Sequence, residues 1–87
     1  MRESKIENEV CKHAKKLGWK CYKFSSPGNK AVPDRIFLRN NKIIFIEFKA
    51  TGKKPTNLQQ KIIKRIKNEG FEVFVVDNIE FGKKVII

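Results

Sequence analysis

Two apolar runs in the stretch VPDRIFLRNNKIIFIEFKA, residues 32–50, decide the fold. They are typical of two strands, DRIFL and KIIFIEFK, joined at Asn40-Asn41. Asparagine tolerates the positive φ that a two-residue primed turn requires. In the second run both alternate faces are apolar, which is typical of a central strand buried on two sides. We therefore expect a hairpin at the centre of a sheet.

The same hairpin places two carboxylates opposite each other. If the turn has two residues, counting the paired residues outward from Arg39 and Lys42 places Asp34 opposite Glu47, with Cβ atoms about 4.5–5.5 Å apart. A longer loop would shift the register and separate the pair. Facing carboxylates in partly buried surroundings must either hold a proton, with one pKa raised, or find a cation.

A divalent metal would satisfy both charges of the Asp34–Glu47 pair, and hard oxygen ligands suit Mg²⁺ or Mn²⁺. Lys49 follows on the same face of the strand, where it can meet an anion bound to that metal. This set fits phosphodiester hydrolysis, with Lys49 orienting the attacking water or stabilising the developing charge. The alternative is that Asp34 is a turn residue after Pro33 and that Glu47 and Lys49 form an ordinary surface pair.

The rest of the chain adds two amphipathic helices and three further strands. The helices are SKIENEVCKHAKKL (4–17) and TNLQQKIIKRIKNE (56–69), and the strands are WKCYKF (19–24), FEVFVV (71–76) and KKVII (83–87). The predicted order is αβββαββ, with helices able to cover both faces of a mixed sheet. The residues expected to face inward are Ile6, Val10, Ala14 and Leu17 in the first helix and Leu58, Ile62, Ile63 and Ile66 in the second.

The length of the chain indicates the number of domains, and its net charge indicates the kind of partner. Eighty-seven residues predict one domain, 1–87, with a thin margin of stability that a second subunit would help. The net charge of +11 makes nucleic acid the first candidate partner, ahead of an acidic protein, a membrane surface or a merely solvated surface. The longest apolar run, IIFI, is too short to span a membrane, and the N-terminus lacks a signal-peptide core.

Only two cysteines, Cys11 and Cys21, are present, without CxxC spacing and with a single histidine. A cysteine zinc site is therefore excluded. We expect two free thiols in a reducing cytoplasm, with a disulfide between them as the alternative.

Pro33-Asp34 followed by Glu47-x-Lys49 is the signature of the PD-(D/E)xK nuclease superfamily. Within it the chain most resembles the virus-type replication-repair nuclease domain, VRR-NUC, especially its stand-alone phage members. The segments KFSSPGNKAVPDRIFL, IIFIEFKATGKKPTNLQ and NEGFEVFVVD carry the resemblance, which extends over about residues 3–78. Ala31 stands where the family usually has glycine, but it removes no ligand. The resemblance implies a restriction-endonuclease-like αβββαβ core, a mixed central sheet flanked by helices.

The resemblance also implies roles for the acidic residues. Asp34 and Glu47 match the metal ligands and Lys49 the catalytic lysine. Glu7 matches a first-helix glutamate that completes the metal shell, and Glu3, one turn earlier, is its rival. A capping box of Glu7 with the serine three residues before it is the alternative role.

Gln59 matches a family glutamine near the active site. It shares a helix face with the inward isoleucines, whereas its neighbour Gln60 does not. Thr56 and Gln59 also have the spacing of a capping box, which is the alternative role.

The activity that the resemblance implies is metal-dependent cleavage of DNA by an endonuclease. Stand-alone members are similar to Holliday-junction resolvases, homodimers that cut two strands symmetrically, so we expect a structure-selective enzyme on branched DNA in a phage-infected or bacterial cytoplasm. Two other functions stay open: a non-catalytic basic DNA-binding module with the same fold, and a restriction-type nuclease with sequence preference.

Two loops flank the expected site and are suited to bind phosphate. The first precedes Asp34 and offers hydroxyls, backbone N–H groups and a lysine, although a plain turn is equally compatible. The second follows the catalytic strand. The candidate DNA contacts are Ser25, Ser26, Gly28, Asn29 and Lys30 in the first loop and Lys53 and Lys54 in the second. The basic residues Lys61, Lys64, Arg65 and Lys67 are expected to solvate the second helix.

Overall fold

Three helices and four strands make up the chain, and a computed structural model describes all 87 residues, Met1–Ile87. In chain order they are α1 (Glu3–Lys16), β1 (Lys20–Lys23), β2 (Arg35–Arg39), β3 (Lys42–Phe48), α2 (Asn57–Asn68), β4 (Glu72–Val76) and α3 (Ile79–Val85). The sheet has the order β1-β2-β3-β4. The first three strands are antiparallel and β4 runs parallel to β3, which confirms the mixed sheet.

The hairpin turn fixes the register at the centre of the sheet. Asn40 and Asn41 have φ values of 49° and 69°, as a primed two-residue turn requires. Arg39 pairs with Lys42, and the ladder continues without a bulge to Arg35. The predicted turn and register are therefore confirmed, and one further step places Asp34 opposite Glu47.

One face of the sheet is covered by α1 and α3 and holds the main core. Phe37, Ile44, Ile46 and Phe48 from the sheet are at most 1% exposed. They pack with the inward positions of α1 and with Ile86, which follows α3. On the other face α2 packs against β4, and no helix covers the corresponding side of β1 and β2.

The last predicted strand is wrong, because residues 79–85 form α3 instead. Asn78 caps this helix by accepting a hydrogen bond from Phe81 N at 2.8 Å. A short apolar run such as KKVII fits either a strand or a helix, and here the cap and the packing of Ile86 against α1 decide.

Two predicted inward residues are also wrong, since Leu17 is 40% and Leu58 57% exposed. Both lie at helix ends, Leu17 at the C-cap of α1 and Leu58 in the first turn of α2. The Ser4–Glu7 capping box, the alternative role for Glu7, is absent, because the N-cap of α1 is Arg2 rather than Ser4 and no side chain caps the helix. None of the three helices has the length and apolar character needed to cross a bilayer.

Candidate active site

Asp34 and Glu47 meet where β2 begins and β3 ends. The Asp34 Oδ2 atom accepts a hydrogen bond from Phe48 N at 2.8 Å, so its side chain reaches across to β3. Glu47 points to the α2 side of the sheet and is only 2% exposed. Glu47 therefore lies within β3, and Asp34, one residue before β2, is anchored to β3 by this hydrogen bond.

Gln59 and Lys49 bind one oxygen of the Glu47 carboxylate. Gln59 Nε2 donates to Glu47 Oε2 at 3.0 Å, and Lys49 Nζ lies 3.5 Å from the same atom. No protein group bonds Glu47 Oε1, and because no fully buried side-chain oxygen lacks a partner, that atom keeps slight contact with solvent. Asp34 Oδ1 likewise has no hydrogen bond from the protein. Each carboxylate thus keeps one free oxygen beside a fixed one.

Burial and mutual repulsion raise the pKa of these acids. Burial and, next, the Asp34 carboxylate raise the pKa of Glu47 to about 7, against the opposing effect of the Lys49 ammonium. Burial also raises the pKa of Asp34, an effect that the Phe48 N–H partly offsets. A cation bound between them would relieve this repulsion, so the electrostatics favour a cation at the free oxygens.

The two glutamates of α1 lie near this pair but differ in their partners. Glu7 Oε2 accepts from Arg35 Nε at 2.7 Å, a part-buried ion pair. Glu3 has no ion-pair partner, and burial and then the Asp34 charge raise its pKa. No group of three His, Cys, Asp or Glu side chains is close enough to hold a metal ion, so neither glutamate joins Asp34 and Glu47 in such a cluster.

The donor set nevertheless fits a hard divalent cation. Asp34 and Glu47 offer two free carboxylate oxygens, and Mg²⁺ is commonly bound by one or two carboxylates with waters and substrate phosphates filling the other positions. The Glu47 Oε1 atom, which no protein group bonds, is available to such a cation.

Gln59 both caps α2 and binds the Glu47 carboxylate. Its backbone N–H and its Oε1 form the capping box with Thr56, at 3.1 Å and 2.9 Å, which confirms the predicted box. The remaining Nε2 donates to Glu47. The first turn of α2 and the Glu47 carboxylate are therefore connected through one side chain.

A known protein sequence and known structures are similar to this chain. No protein-family model matches the chain. A phage protein described as "Putative nuclease p44", from Acyrthosiphon pisum secondary endosymbiont phage 1, is 44% identical over 79 residues, which cover 90% of this chain and 85% of the relative. A solved structure described as "VRR_NUC domain" has a TM-score of 0.89 and 28% identity, covering 97% of this chain and 92% of its own. The chain belongs to the VRR-NUC family. It is therefore a member of a nuclease family, and the resemblance carried by the PD and ExK motifs is confirmed.

A second VRR-NUC structure supports the fold alone. It has a TM-score of 0.82 at 20% identity and covers 99% of this chain and 85% of its own. The mixed sheet flanked by helices is thus the VRR-NUC architecture.

The loop residues of this VRR-NUC chain flank the acidic pair. The loop between β1 and β2 folds back on itself, since Ser26 O accepts from Asn29 N at 3.0 Å and Asn29 Oδ1 from Ala31 N at 3.2 Å. Side chains of Phe24 and Asn29 line a groove against α2. Ser25, Gly28 and Lys30 are exposed.

The loop after β3 is held by Asp77. Asp77 O accepts from Thr51 Oγ1 at 3.0 Å, and its carboxylate accepts from Gly52 N at 3.1 Å. Lys53 and Lys54 follow with exposed side chains. This anchoring leaves both lysines free at the same end of the sheet as Lys49.

Sequence reasoning missed Arg35. Its guanidinium joins Glu7 on α1 to Cys21 on β1, with Nη1 3.9 Å from the Cys21 sulfur. The register that pairs Asp34 with Glu47 also pairs Arg35 with Ile46, on the covered face of the sheet. A charged residue at a covered position was the available signal, because such a charge needs a partner.

Proposed function

We propose that this VRR-NUC chain is a single nuclease domain, residues 1–87, that cleaves branched DNA as a Mg²⁺- or Mn²⁺-dependent, structure-selective endonuclease. The observation that carries the proposal is the buried Glu47, with one oxygen held by Gln59 and Lys49 and the other open beside Asp34. An exposed surface pair would not be fixed in this way.

Asp34 and Glu47 would hold the metal, and Glu7 or Glu3 is the candidate third ligand from α1. A bound Mg²⁺ or Mn²⁺ ion supplies polarisation of the phosphoryl oxygen and a lowered pKa of a bound water. To bind the metal, the Glu7 carboxylate must either release Arg35 or contact Arg35 and the metal together, because Arg35 Nε lies 2.7 Å from its Oε2. Glu3 needs no such exchange.

Lys49 is the catalytic cation of the proposal. Its ammonium lies 3.5 Å from Glu47 Oε2 on a side chain that is 14% exposed, so it is held at the edge of the acidic pair. From there it can donate hydrogen bonds to a non-bridging phosphate oxygen or to the attacking water. Gln59 keeps the Glu47 carboxylate in one orientation, which leaves Oε1 directed to the substrate side.

DNA binding is proposed to run along the two loops at this end of the sheet. Lys53 and Lys54 are exposed in the loop that follows β3, and residues 25–30 lie in the loop that ends at Asp34. Hydroxyl, amide and ammonium groups are phosphate ligands that carry no base preference, so the proposal is recognition of DNA shape. The net charge of +11 supports a strong, salt-dependent backbone contribution.

A homodimer is part of the proposal because one chain carries one acidic pair and resolving a four-way junction needs two cuts. The β1–β2 side of the sheet that α2 leaves without a helix offers a surface for the second copy. Tyr22 on that side is 56% exposed. Ile36, Leu38 and Ile43 beside it are half-buried.

The test is cleavage of labelled four-way junction, flap, splayed-arm and duplex DNAs with and without Mg²⁺ or Mn²⁺. Asp34→Asn should lower cleavage by ~10²-fold or more while DNA binding is retained, because it removes a ligand charge without changing shape. Glu72→Gln is the matched control, since Glu72 pairs only with Lys42 at the opposite end of the sheet.

Three results separate this proposal from its rivals. Cleavage without metal, or full activity of Asp34→Asn, contradicts it. Tight salt-sensitive binding with no product and no heat of Mn²⁺ binding identifies a non-catalytic binding module. Cuts at a fixed sequence in linear duplex identify a restriction-type nuclease.

A further inference from the structure

Two thiols meet between α1 and β1, on the face of the sheet that α1 covers. Cys11 on α1 is 5% exposed, and Cys21 on β1 is half-buried. Their sulfur atoms lie 3.2 Å apart and share a hydrogen bond. Neither residue belongs to the proposed nuclease chemistry, so their close approach needs a separate explanation.

The surroundings give the two sulfurs different roles. Arg35 Nη1 lies 3.9 Å from the Cys21 sulfur, so a positive charge faces Cys21 directly. The hydrogen bond shared with Cys11, helped by Arg35 against burial, lowers the pKa of Cys21 to about 7. The same hydrogen bond and burial raise the pKa of Cys11. Cys21 is thus the reactive thiolate and Cys11 the protonated partner beside it.

We propose that Cys11 and Cys21 are a peroxide-sensitive pair that closes to an intramolecular disulfide. The Cys21 thiolate attacks one oxygen of hydrogen peroxide, the O–O bond breaks, and the released hydroxide takes a proton to become water. The Cys11 sulfur then attacks the sulfenic sulfur of Cys21, the S–O bond breaks, and the hydroxide that leaves takes the Cys11 proton. Two thiols lose two electrons and two protons, and one peroxide becomes two waters.

Closure would fix α1 to β1 by a covalent bond. The disulfide would also remove the thiolate charge of Cys21 beside Arg35. Arg35 would then keep Glu7 as its partner in this cluster. The inference does not depend on the proposed nuclease activity, because thiol oxidation is measured without DNA or metal.

The experiment treats the reduced full-length protein with hydrogen peroxide and follows intact mass and tryptic peptides. The expected product is one chain that has lost two hydrogen atoms, with the peptides 6–12 and 21–23 joined and separated again by dithiothreitol. Disulfides between chains only, or sulfinic acid at Cys21 with Cys11 still reduced, would overturn the inference.

Single-cysteine variants test the division of roles. Cys11→Ser, with Cys11→Ala as a second variant in case the buried hydroxyl impairs folding, should accumulate a sulfenic acid at Cys21 that dimedone traps. Cys21→Ser should leave Cys11 oxidised ~10-fold more slowly or not at all, because that thiol is buried and protonated. Equal oxidation rates of the two remaining thiols would refute the assigned roles.

Discussion

Glu47 is deeply buried and interacts with both the Asp34 carboxylate and the Lys49 ammonium. Its side chain is 3% exposed, and its pKa of about 7 lies above the ordinary value of 4.5. Between these two values the unfolded chain has lost the proton that the folded chain still holds. The contribution of Glu47 to folding is therefore present below about pH 4.5 and is lost as the pH rises through about 7.

We predict that the metal-free protein loses about 2 to 3 kcal/mol of unfolding free energy between pH 5 and pH 8 through Glu47. Glu47→Gln removes the titrating group and should flatten that part of the profile. Urea unfolding at a series of pH values measures it, and Glu72→Gln should keep the wild-type slope because Glu72 is exposed. A stability that rises over this range would contradict the assignment.

Gln59 shows how one side chain can serve both a helix cap and a site. Its Oε1 is used by the Thr56 backbone and its Nε2 by Glu47. The capping role follows from the Thr56-x-x-Gln59 spacing alone, whereas the second contact depends on where α2 lies over the sheet.

The substitution Gln59→Glu separates these two roles. A glutamate keeps the capping oxygen but replaces the donor to Glu47 by a negative charge. We expect α2 to stay folded, the pKa of Glu47 to rise further, and cleavage to fall ~10- to 100-fold. Carbon-detected NMR titration of Glu47 and a cleavage assay measure these effects. Gln60→Glu is the matched control, because Gln60 bonds only Pro55 O at 3.1 Å, and equal losses in both variants would count against the contact.

The hairpin was predictable from sequence and α3 was not, for a physical reason. Asn40-Asn41 selects its turn locally through positive φ, so the register and the Asp34–Glu47 pairing follow by counting. The run after Asn78 has only the Asn78 cap as a local signal for a helix, and its short apolar pattern fits a strand equally well. Its conformation is decided by packing on α1 and β4, and such long-range contacts do not appear in a short apolar pattern.

The same distinction applies to the candidate site. Pairing within the hairpin is local, so Asp34 and Glu47 were predictable. The Glu7–Arg35 ion pair joins residues 28 positions apart on different elements, and its geometry depends on how α1 lies on the sheet. Sequence spacing alone left Glu7 with a local cap that the structure does not have.

Gly82 lets α3 approach the sheet and α1. A Cβ atom there would clash with Val10 Cγ2 and lie 3.1 Å from Val76 Cγ1. Valine methyl groups in a full core have little freedom to move away. The absent side chain at Gly82 thus sets the spacing of three elements.

Gly82→Ala should therefore destabilise the fold by about 1 to 2 kcal/mol, since overpacking outweighs the gain in helix propensity. Gly28→Ala is the control, because nothing lies within 4 Å of a Cβ at that position and its φ is not positive. Chemical denaturation of both variants decides the matter. A stabilised Gly82→Ala protein would show that α3 shifts freely.

Trp19 and Arg39 connect distant parts of the chain to its last two residues. Trp19 Nε1 donates to Ile86 O at 2.7 Å, and Arg39 stacks over the indole at 4.2 Å. Arg39 also donates to Ile87 O at 2.6 Å and Leu17 O at 3.0 Å. The end of the first helix, the central hairpin and the segment after α3 are thereby held together.

Trp19→Phe keeps an aromatic ring but leaves the buried Ile86 carbonyl without its donor. We predict a loss of about 1 to 2 kcal/mol in unfolding free energy, measured by urea denaturation. Tyr22→Phe is the control, because the Tyr22 hydroxyl makes no hydrogen bond in the structure and its side chain is 56% exposed. Equal stability of the two variants would refute the role given to the indole N–H.

The Trp19–Ile86 hydrogen bond also bears on how the protein is made. Its partners are separated by 67 positions, and Ile86 is fully enclosed by helices and strands synthesised much earlier. During translation the ribosome still shields this residue when the hairpin has already emerged. The nascent polypeptide is therefore expected to remain incompletely folded, with its apolar core exposed, until residue 86 leaves the exit tunnel.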